Sequence, residues 1–424
     1  MTAPRQSLWH HRDFIRLWTG DSISQIGTMV SLIALPLLAI KVLDATPFEV
    51  GLLTTAETAA FLLVGLPAGA WVDRVRRRNV LIVGDIGRAV LLGSLPLAWY
   101  LDLLTLAQLY AVALFTGVLT VFFDVAYQSY LPSLVGRGHL VEGNAKLEAS
   151  RAVAQIAGPS VGGVLVQWLT APYAVLVDAA SYLWSAVWVA AIRNREPKPE
   201  RAPDRHLGRE IREGLRFVLG HRLLRAITAT TGTSNLFSSI LNTAFIIVLA
   251  DQAQLDLSAG TIGLVFTIGS IGGLLGAVGA ARVARTLGQG PTIWLSILAG
   301  APFVLVTPLV QRDWTLWAVA ACWAVNGFLV VVYNITQVSF RQGLCPERLL
   351  GRMNATIRFL VWGTMPLGGF IGGVLGSTIG VRPTMWVGAI GMALAFLPAF
   401  LSPLRTMREL PSSYDPEQAA RIGG

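Results

Sequence analysis

Acidic side chains within long apolar stretches are the residues of this chain best suited to chemistry. Asp21, Glu57 and Asp178 each lie in such a stretch with no partner nearby in the sequence. A carboxyl group in apolar surroundings can take up and release a proton near neutral pH. We predict that one of these three carboxyl groups binds and releases a proton as part of the activity of the protein. Glu57 and Asp21 are stronger candidates than Asp178. The alternative for each is a carboxylate that hydrogen-bonds to Ser, Thr or backbone groups and transfers nothing.

A further acidic residue, Asp85, has a basic residue close by. Arg88 follows it by three residues, which places both side chains on one face of a helix. We predict an ion pair between them, since two opposite charges in apolar surroundings are less costly together than apart.

Neutral polar residues are the candidates for contact with a small-molecule substrate in the second half of the chain. The long apolar stretches there contain no Asp or Glu, so a substrate surface built from them is apolar and neutral-polar. Amide and hydroxyl groups of this kind are carried by Asn235, Asn242, Asn326, Tyr333 and Asn334. Hydrogen bonding between helices explains the same residues equally well.

Long apolar helices are needed to position all of these residues. Of the 424 residues 54% are hydrophobic and 13% are charged, against about 25% charged in soluble domains. About twenty apolar residues cross the hydrocarbon core as a helix. The pattern predicts an all-α integral membrane protein of about twelve transmembrane helices, near residues 14–40, 50–72, 79–100, 104–128, 149–169, 173–192, 225–250, 259–283, 291–310, 314–340, 354–379 and 383–404.

The chain repeats itself at an offset of 210 positions. Asn144-Ala145 meets Asn354-Ala355, and residues 158–165 (GPSVGGVL) meet residues 368–375 (GGFIGGVL). Such a repeat predicts two six-helix bundles in parallel orientation. The predicted domains are an N-terminal bundle (1–192), a cytoplasmic linker with an interfacial amphipathic helix (193–222), a C-terminal bundle (223–405) and a disordered cytoplasmic tail (406–424).

Basic residues set the predicted orientation. The net charge is +9, and most basic residues between spans fall on the side shared by the N-terminus, the linker and the C-terminus. The positive-inside rule makes that side cytoplasmic. This topology explains the charge without a nucleic-acid partner. The two cysteines, Cys322 and Cys345, predict neither a disulfide framework nor a metal site.

The segment GAWVDRVRRR, residues 69–78, ends the second predicted span. It resembles the loop 2–3 signature of the major facilitator superfamily, Gly-x-x-x-Asp-Arg followed by basic residues, although Arg76 stands where a glycine is usual. The resemblance implies a cytoplasmic latch, in which Asp73 meets the N-terminal end of span eleven and arginines hold a carboxylate on span four. A positive-inside anchor is the alternative. The latch residues are Gly69, Asp73, Arg74, Arg77, Arg78 and Asp124.

The segment AGPSVGG, residues 157–163, lies in predicted span five. It resembles the Gly-Pro-x-x-Gly-Gly core associated with antiporters of the same superfamily. Pro159 removes one helical hydrogen bond, and the glycines allow helices to approach closely. Ordinary glycine packing is the alternative. The matching residues are Gly158, Pro159, Gly162 and Gly163.

Two longer segments are similar to one branch of that superfamily. Residues 14–27 (FIRLWTGDSISQIG) and 123–148 (FDVAYQSYLPSLVGRGHLVEGNAKLE) are typical of proton-driven drug and siderophore exporters related to macrolide efflux proteins. The resemblance runs roughly from residue 8 to residue 405. It implies a monomeric, multi-pass protein of the cytoplasmic (inner) membrane. Such a protein moves a small-molecule substrate by alternating access, with the proton gradient as energy source and without a cofactor.

Motifs for other activities are missing from the sequence. It contains no phosphate-binding loop for ATP, no metalloprotease helix motif and no hydrolase nucleophile elbow, so we predict that the chain is not an enzyme. The leading hypothesis is proton-coupled efflux of drugs, metabolites or siderophores. A solute importer of the same fold is the first alternative, and a membrane sensor or scaffold that binds without flux is the second.

Overall fold

The computed structural model is all-helical over the residues that it describes, which are 8–72, 74–136, 139–193, 207–346 and 349–408. These residues form fifteen α-helices together with short 3-10 turns. In chain order the helices are α1 (Arg12–Val42), α2 (Pro47–Val72), α3 (Arg77–Tyr100), α4 (Leu106–Val135), α5 (Leu140–Leu169), α6 (Ala171–Ala190), α7 (Leu207–Gly220), α8 (Arg222–Ala250), α9 (Ala259–Leu287), α10 (Gln289–Leu305), α11 (Trp314–Leu344), α12 (Leu350–Trp362), α13 (Thr364–Thr378), α14 (Val381–Leu394) and α15 (Leu397–Phe400).

Twelve stretches of the described chain are long and apolar enough to cross a membrane, which confirms the predicted number. Nine are single helices, and the other three join α10 to a 3-10 turn, α12 to α13, and α14 to α15. The fifth helix departs from its predicted start near residue 149, since α5 begins at Leu140. Its first turns carry Glu142 and Lys146, which are good helix formers although too polar for the hydrocarbon core.

The helices group by contact into two compact units. The first comprises Met1–Asp44, Leu63–Pro203 and Ser258–Leu264, and the second comprises Ala45–Leu62, Asp204–Leu257 and Val265–Gly424. The division into two bundles in chain order remains a prediction. Residues 194–206 of the linker and 409–424 of the tail lie outside the described residues.

Small residues explain why the first part of α2 clusters with the second unit. A Cβ on Gly51 would lie 2.7 Å from the carbonyl oxygen of Gly369, so α2 and α13 approach to backbone contact. Close approach of this kind is how helices gain van der Waals energy in lipid, where the hydrophobic effect between them is absent. A side chain at Gly51 would separate the two helices.

Within the first unit, α1 packs against α5 and α6, while α3 packs against α4 and α6. Within the second unit, α8 packs against α13 and α14, and α10 packs against α11 and α14. The helices of the first unit meet at small side chains: a Cβ on Gly20 would lie 3.3 Å from the Cα of Ser185. This packing brings the polar residues of α1, α3, α4 and α6 together.

The amphipathic linker helix, α7, packs on protein. Glu213 pairs with Arg352 of α12, and Val218 is fully buried in the core of the second unit. A Cβ on Gly214 would lie 3.1 Å from the carbonyl oxygen of Arg352. We predicted an interfacial helix from the amphipathic pattern of this segment. That pattern does not distinguish a lipid surface from a protein surface. Gly214 lets α7 lie directly on α12, and the position of α7 at the membrane surface remains a prediction.

Candidate functional site

Asp85 and Arg88 of α3 form the predicted ion pair, with Arg88 Nη2 2.5 Å from Asp85 Oδ1. Asp85 is 0% exposed and Arg88 is 4% exposed. The guanidinium group lies 4.3 Å from the ring centre of Phe123 and 4.1 Å from that of Tyr182. The two rings add cation–π attraction to the ion pair. Arg88 is therefore held in one place by a carboxylate and two aromatic faces.

Asp178 of α6 is buried and hydrogen-bonded to two hydroxyl groups. Ser31 of α1 donates to its Oδ2, and Ser181 donates to its Oδ1 at 3.1 Å. Ser181 is only three residues further along α6. Our prediction that Asp178 has no partner nearby in the sequence was therefore wrong. The geometry is that of the alternative we set out for it, a carboxylate satisfied by serines.

Asp21 and Asp124 complete a group of charges in the first unit. Asp21 is 5% exposed and accepts a hydrogen bond from Gln25 at 3.3 Å, again a partner on its own helix. Asp124 of α4 interacts electrostatically with both Asp21 and Arg88. We call Asp21, Asp85, Arg88, Asp124 and Asp178 the first-unit polar cluster. It holds four carboxylates around one buried arginine.

Glu57 is the predicted proton carrier whose carboxylate has the fewest contacts with other polar groups. It lies near the middle of α2 and is half-buried. No group among the described residues bonds or pairs with its carboxylate. The hydroxyls of Thr54 and Thr58 do not, because they donate to backbone carbonyls of α2 itself at 3.2 Å and 2.7 Å. Within the described parts of the chain, Glu57 is thus a carboxylate of a predicted membrane span without a fixed counter-charge.

The residues of the predicted latch are placed only in part. Asp73 and the side-chain position of Gly69 lie outside the described residues. Arg74 is exposed, and Arg77 begins α3. Arg78 donates to the carbonyl oxygens of Val189, at 3.2 Å, and of Ala190. A cation there complements the negative end of the α6 dipole, a role that the motif did not suggest.

The glycine motif of α5 packs against α1 and against the first residues of α9, which belong to the first unit. On one side, a Cβ on Gly158 would overlap Met29 of α1, and one on Gly162 would lie 3.0 Å from the Cα of Val30. On the other side, a Cβ on Gly163 would overlap the carbonyl of Ala259 and lie 3.1 Å from the Cα of Gly263. Pro159 does not interrupt α5. The motif therefore sets the distance of α5 from α1 and from the first residues of α9.

We expect Gly163→Ala to destabilise the first unit by about 1–3 kcal/mol, because the added methyl group meets backbone atoms that cannot rotate away. Thermal unfolding of the purified protein in detergent measures the loss. Gly93→Ala is the matched control, since its Cβ would meet only Ala179 Cβ at 4.0 Å. Equal unfolding temperatures for the two variants would contradict the role of Gly163 in helix spacing.

The predicted substrate residues have varied surroundings. Tyr333 is 3% exposed and shares a 2.6 Å hydrogen bond with Thr231 of α8. That is the interhelical bond we gave as its alternative. Asn242 is exposed and donates to the carbonyl of Ser238 on its own helix at 2.9 Å. Asn334 is exposed, and Asn326 faces Gly300 of α10.

Asn235 supports a break in span eleven that the sequence reading missed. That span was predicted as one helix, and it divides at Gly363 into α12 and α13. Pro366 lacks an N–H group, and side chains of α8 donate to carbonyls on both sides of the break. Asn235 donates to Val361 O at 2.9 Å, and Ser239 donates to Met365 O at 2.9 Å. Gly363 and Pro366, three residues apart, were the available signal.

No group of three His, Cys, Asp or Glu side chains that could hold a metal ion occurs among the described residues. The arrangement supplies instead a buried arginine among carboxylates, an isolated carboxylate on α2 and closely packed glycine helices.

Two curated relatives resemble the chain over most of its length. Multidrug efflux pump Tap of Mycolicibacterium fortuitum is 26% identical over 406 residues, which cover 92% of this chain and 95% of that protein. Enterobactin exporter EntS of Escherichia coli O127:H6 is 24% identical over 344 residues, which cover 81% of this chain and 80% of that protein.

Solved structures share the fold at low sequence identity. A bacterial homologue of the iron transporter ferroportin, in an inward-facing state, has a TM-score of 0.74 and 16% identity, covering 95% of this chain and 100% of that chain. Nucleoside transporter NupG has a TM-score of 0.71 and 13% identity, covering 92% and 98%. The family model of the Major Facilitator Superfamily matches residues 17–360 and 231–421. With both halves of the chain matched, this protein belongs to the major facilitator superfamily and is a membrane transporter, not an enzyme.

Proposed function

We propose that the chain exports small molecules and takes up protons in exchange. The observation that carries the proposal is Glu57, a half-buried carboxylate in the middle of an apolar helix with no bonding partner among the described residues. A charge at this depth is costly, and ionisable residues within membrane helices mark substrate pathways and proton relays. A neutral residue would make the same helix more stable, so the carboxylate needs a functional reason.

The direction of transport is supported by the relatives. One bears the name of a multidrug efflux pump and the other that of an enterobactin exporter. Both match more than three quarters of this chain. We therefore propose an organic small molecule, such as a drug, a metabolite or a siderophore, as the exported substrate.

Protonation of Glu57 is the proposed coupling step. The protonated side chain is neutral and suits an apolar environment, whereas the ionised form needs water or a counter-charge. Each form therefore favours a different conformation of the transporter, and proton binding shifts the population between the two. The gradient supplies the energy, so no cofactor is required, and the chain acts as a monomer in the bilayer.

The first-unit polar cluster has a different proposed role. Arg88 is paired with Asp85 and lies in the field of Asp124, so these charges compensate one another throughout the cycle. Asp21, which accepts a 3.3 Å hydrogen bond from Gln25, is the second candidate for the proton. Asp178, bonded by two serines, is the third.

Transport into inverted membrane vesicles tests the function. Vesicles from a pump-deficient host that expresses the chain are loaded with an acidic interior, and uptake of dyes and antibiotics is followed. We expect accumulation well above that of vector vesicles, falling to the passive level when a protonophore is added.

The alternatives predict different results from the same vesicles. Accumulation only in right-side-out vesicles would indicate an importer, and binding without flux in either orientation would indicate a sensor. Protonophore-insensitive accumulation would contradict proton coupling and leave export standing. A susceptibility screen of the same host identifies which compounds to load.

A further inference from the structure

A cavity of about 580 Å³ lies in the second unit, where α9 ends, α10 begins and α11 passes beside them. Small residues of α9, including Ala280 and Ala284, form one wall, and Ser339 of α11 and Arg408 line the rest with Arg285. The distribution of basic residues predicts that this end of the protein faces the cytoplasm. None of the proposed transport residues lines this cavity.

The cavity presents polar groups that have no partner within the described part of the chain. No described residue bonds or pairs with the side chains of Arg285, Arg408 or Ser339. Gln289 Oε1 is buried and accepts no hydrogen bond from any residue that the structure describes. None of the described residues that line the cavity is acidic. Two unpaired guanidinium groups with a hydroxyl and an amide beside them match an oxyanion that also carries hydroxyl groups.

The guanidinium groups, and not the start of α10, are the recognition element. The N–H groups of Gln289 and Gly290 already donate to the carbonyls of Arg408 and Met407, at 3.1 Å and 3.0 Å. These bonds also hold the Arg408 backbone against the start of α10. The Arg408 side chain can therefore be changed without removing the contact that positions it.

An apolar stripe on α9 leads to the cavity. Ile271, Leu274 and Val278 are exposed, Val278 to 80%. Arg285 follows Val278 by seven residues, which places the two on the same helical face. The stripe offers a surface for acyl chains, and the arginines stand where a headgroup would lie at its end. A soluble phosphate compound would gain nothing from the stripe.

We propose that this cavity binds the phosphate group of an anionic phospholipid from the predicted cytoplasmic leaflet. The guanidinium groups of Arg285 and Arg408 contact the phosphate oxygens, and Gln289 accepts a hydrogen bond from a headgroup hydroxyl. Bound lipid would tie the end of α9 to the start of α10. The inference does not depend on the direction of transport or on Glu57.

Native mass spectrometry of the full chain tests the proposal. The protein is taken from bilayers that mix phosphatidylglycerol with phosphatidylcholine, and the lipid retained is measured. We expect selective retention of phosphatidylglycerol by the wild type. In the Arg285→Gln/Arg408→Gln variant we expect binding about tenfold weaker for each guanidinium removed. Arg282→Gln is the matched control, because Arg282 is exposed on the same helix and does not line the cavity.

Each other outcome overturns part of the proposal. Equal retention of phosphatidylglycerol by the wild type and both Gln variants would refute the proposed site. An equal loss in Arg282→Gln would show that lipid binding depends on overall charge and not on this cavity. Inorganic phosphate is titrated separately, with thermal unfolding as the readout. Stabilisation of the wild type by phosphate, without selective lipid retention, would overturn the lipid assignment. Thermal unfolding of the Gln variant shows whether it remains folded, and Arg285→Lys/Arg408→Lys, which keeps both charges, should retain more phosphatidylglycerol than the Gln variant.

Discussion

Glu57→Gln is expected to abolish concentrative efflux while the chain remains folded and inserted. The amide is close to the carboxyl group in size and resembles its protonated form, so the apolar surroundings of α2 accept it. It cannot release a proton, which removes the step by which the gradient drives the cycle. Efflux against a gradient should fall to the level of vector vesicles, whereas exchange of substrate at equal concentrations should persist.

A glutamate on the same helix provides the control. Glu49 lies in the exposed first turn of α2, where its carboxylate accepts a 2.8 Å hydrogen bond from the Thr46 amide. Glu49→Gln should leave efflux intact. Normal uphill efflux by Glu57→Gln would refute the assignment of the proton to this residue. Asp21→Asn then becomes decisive, and normal uphill transport by both variants would exclude the two leading carboxylates.

Arg88→Met is expected to destabilise the protein by about 3–5 kcal/mol, the usual cost of leaving a buried charge without its partner. The variant leaves Asp85, which is 0% exposed, without the guanidinium group that lies 2.5 Å away. It also removes the cation from between the rings of Phe123 and Tyr182. Thermal unfolding in detergent and the yield of monodisperse protein measure the effect.

The double variant separates charge from packing. Asp85→Asn/Arg88→Met removes both charges, and it should recover most of the stability lost in Arg88→Met because no isolated carboxylate remains at position 85. Equal stability of Arg88→Met and the wild type would refute the buried ion pair as a structural element. A double variant no more stable than Arg88→Met would assign the loss to the aromatic contacts.

The membrane-spanning helices could be predicted because the thickness of the hydrocarbon core sets the length of each span. A span needs about twenty apolar residues, and this requirement is visible in the sequence without any knowledge of neighbours. The break at Gly363 was missed because span eleven was predicted from its apolar length alone. Apolar length does not reveal that Asn235 and Ser239 donate to carbonyls on both sides of the break.

The sequence identified the polar residues of the candidate site more successfully than it identified the residues that they contact. Asp85 and Arg88 share a helix, so their pairing followed from spacing alone. Asp178 and Ser31 lie on α6 and α1, and no spacing rule connects them. Amphipathic α7 had a visible apolar face, yet only its position on α12 shows what covers that face.

The amino-acid sequence by itself determined the membrane environment, the number of spans, the family and the carboxylates that a membrane must accommodate. These properties follow from local composition and from spacing along one helix. The tertiary structure alone decided which carboxylates are compensated and which, like Glu57, are not. It also decided that the glycines of α5 face both α1 and α9. The physical reason is that pairing and close packing join groups on different helices, whose relative positions depend on the contacts of the whole unit.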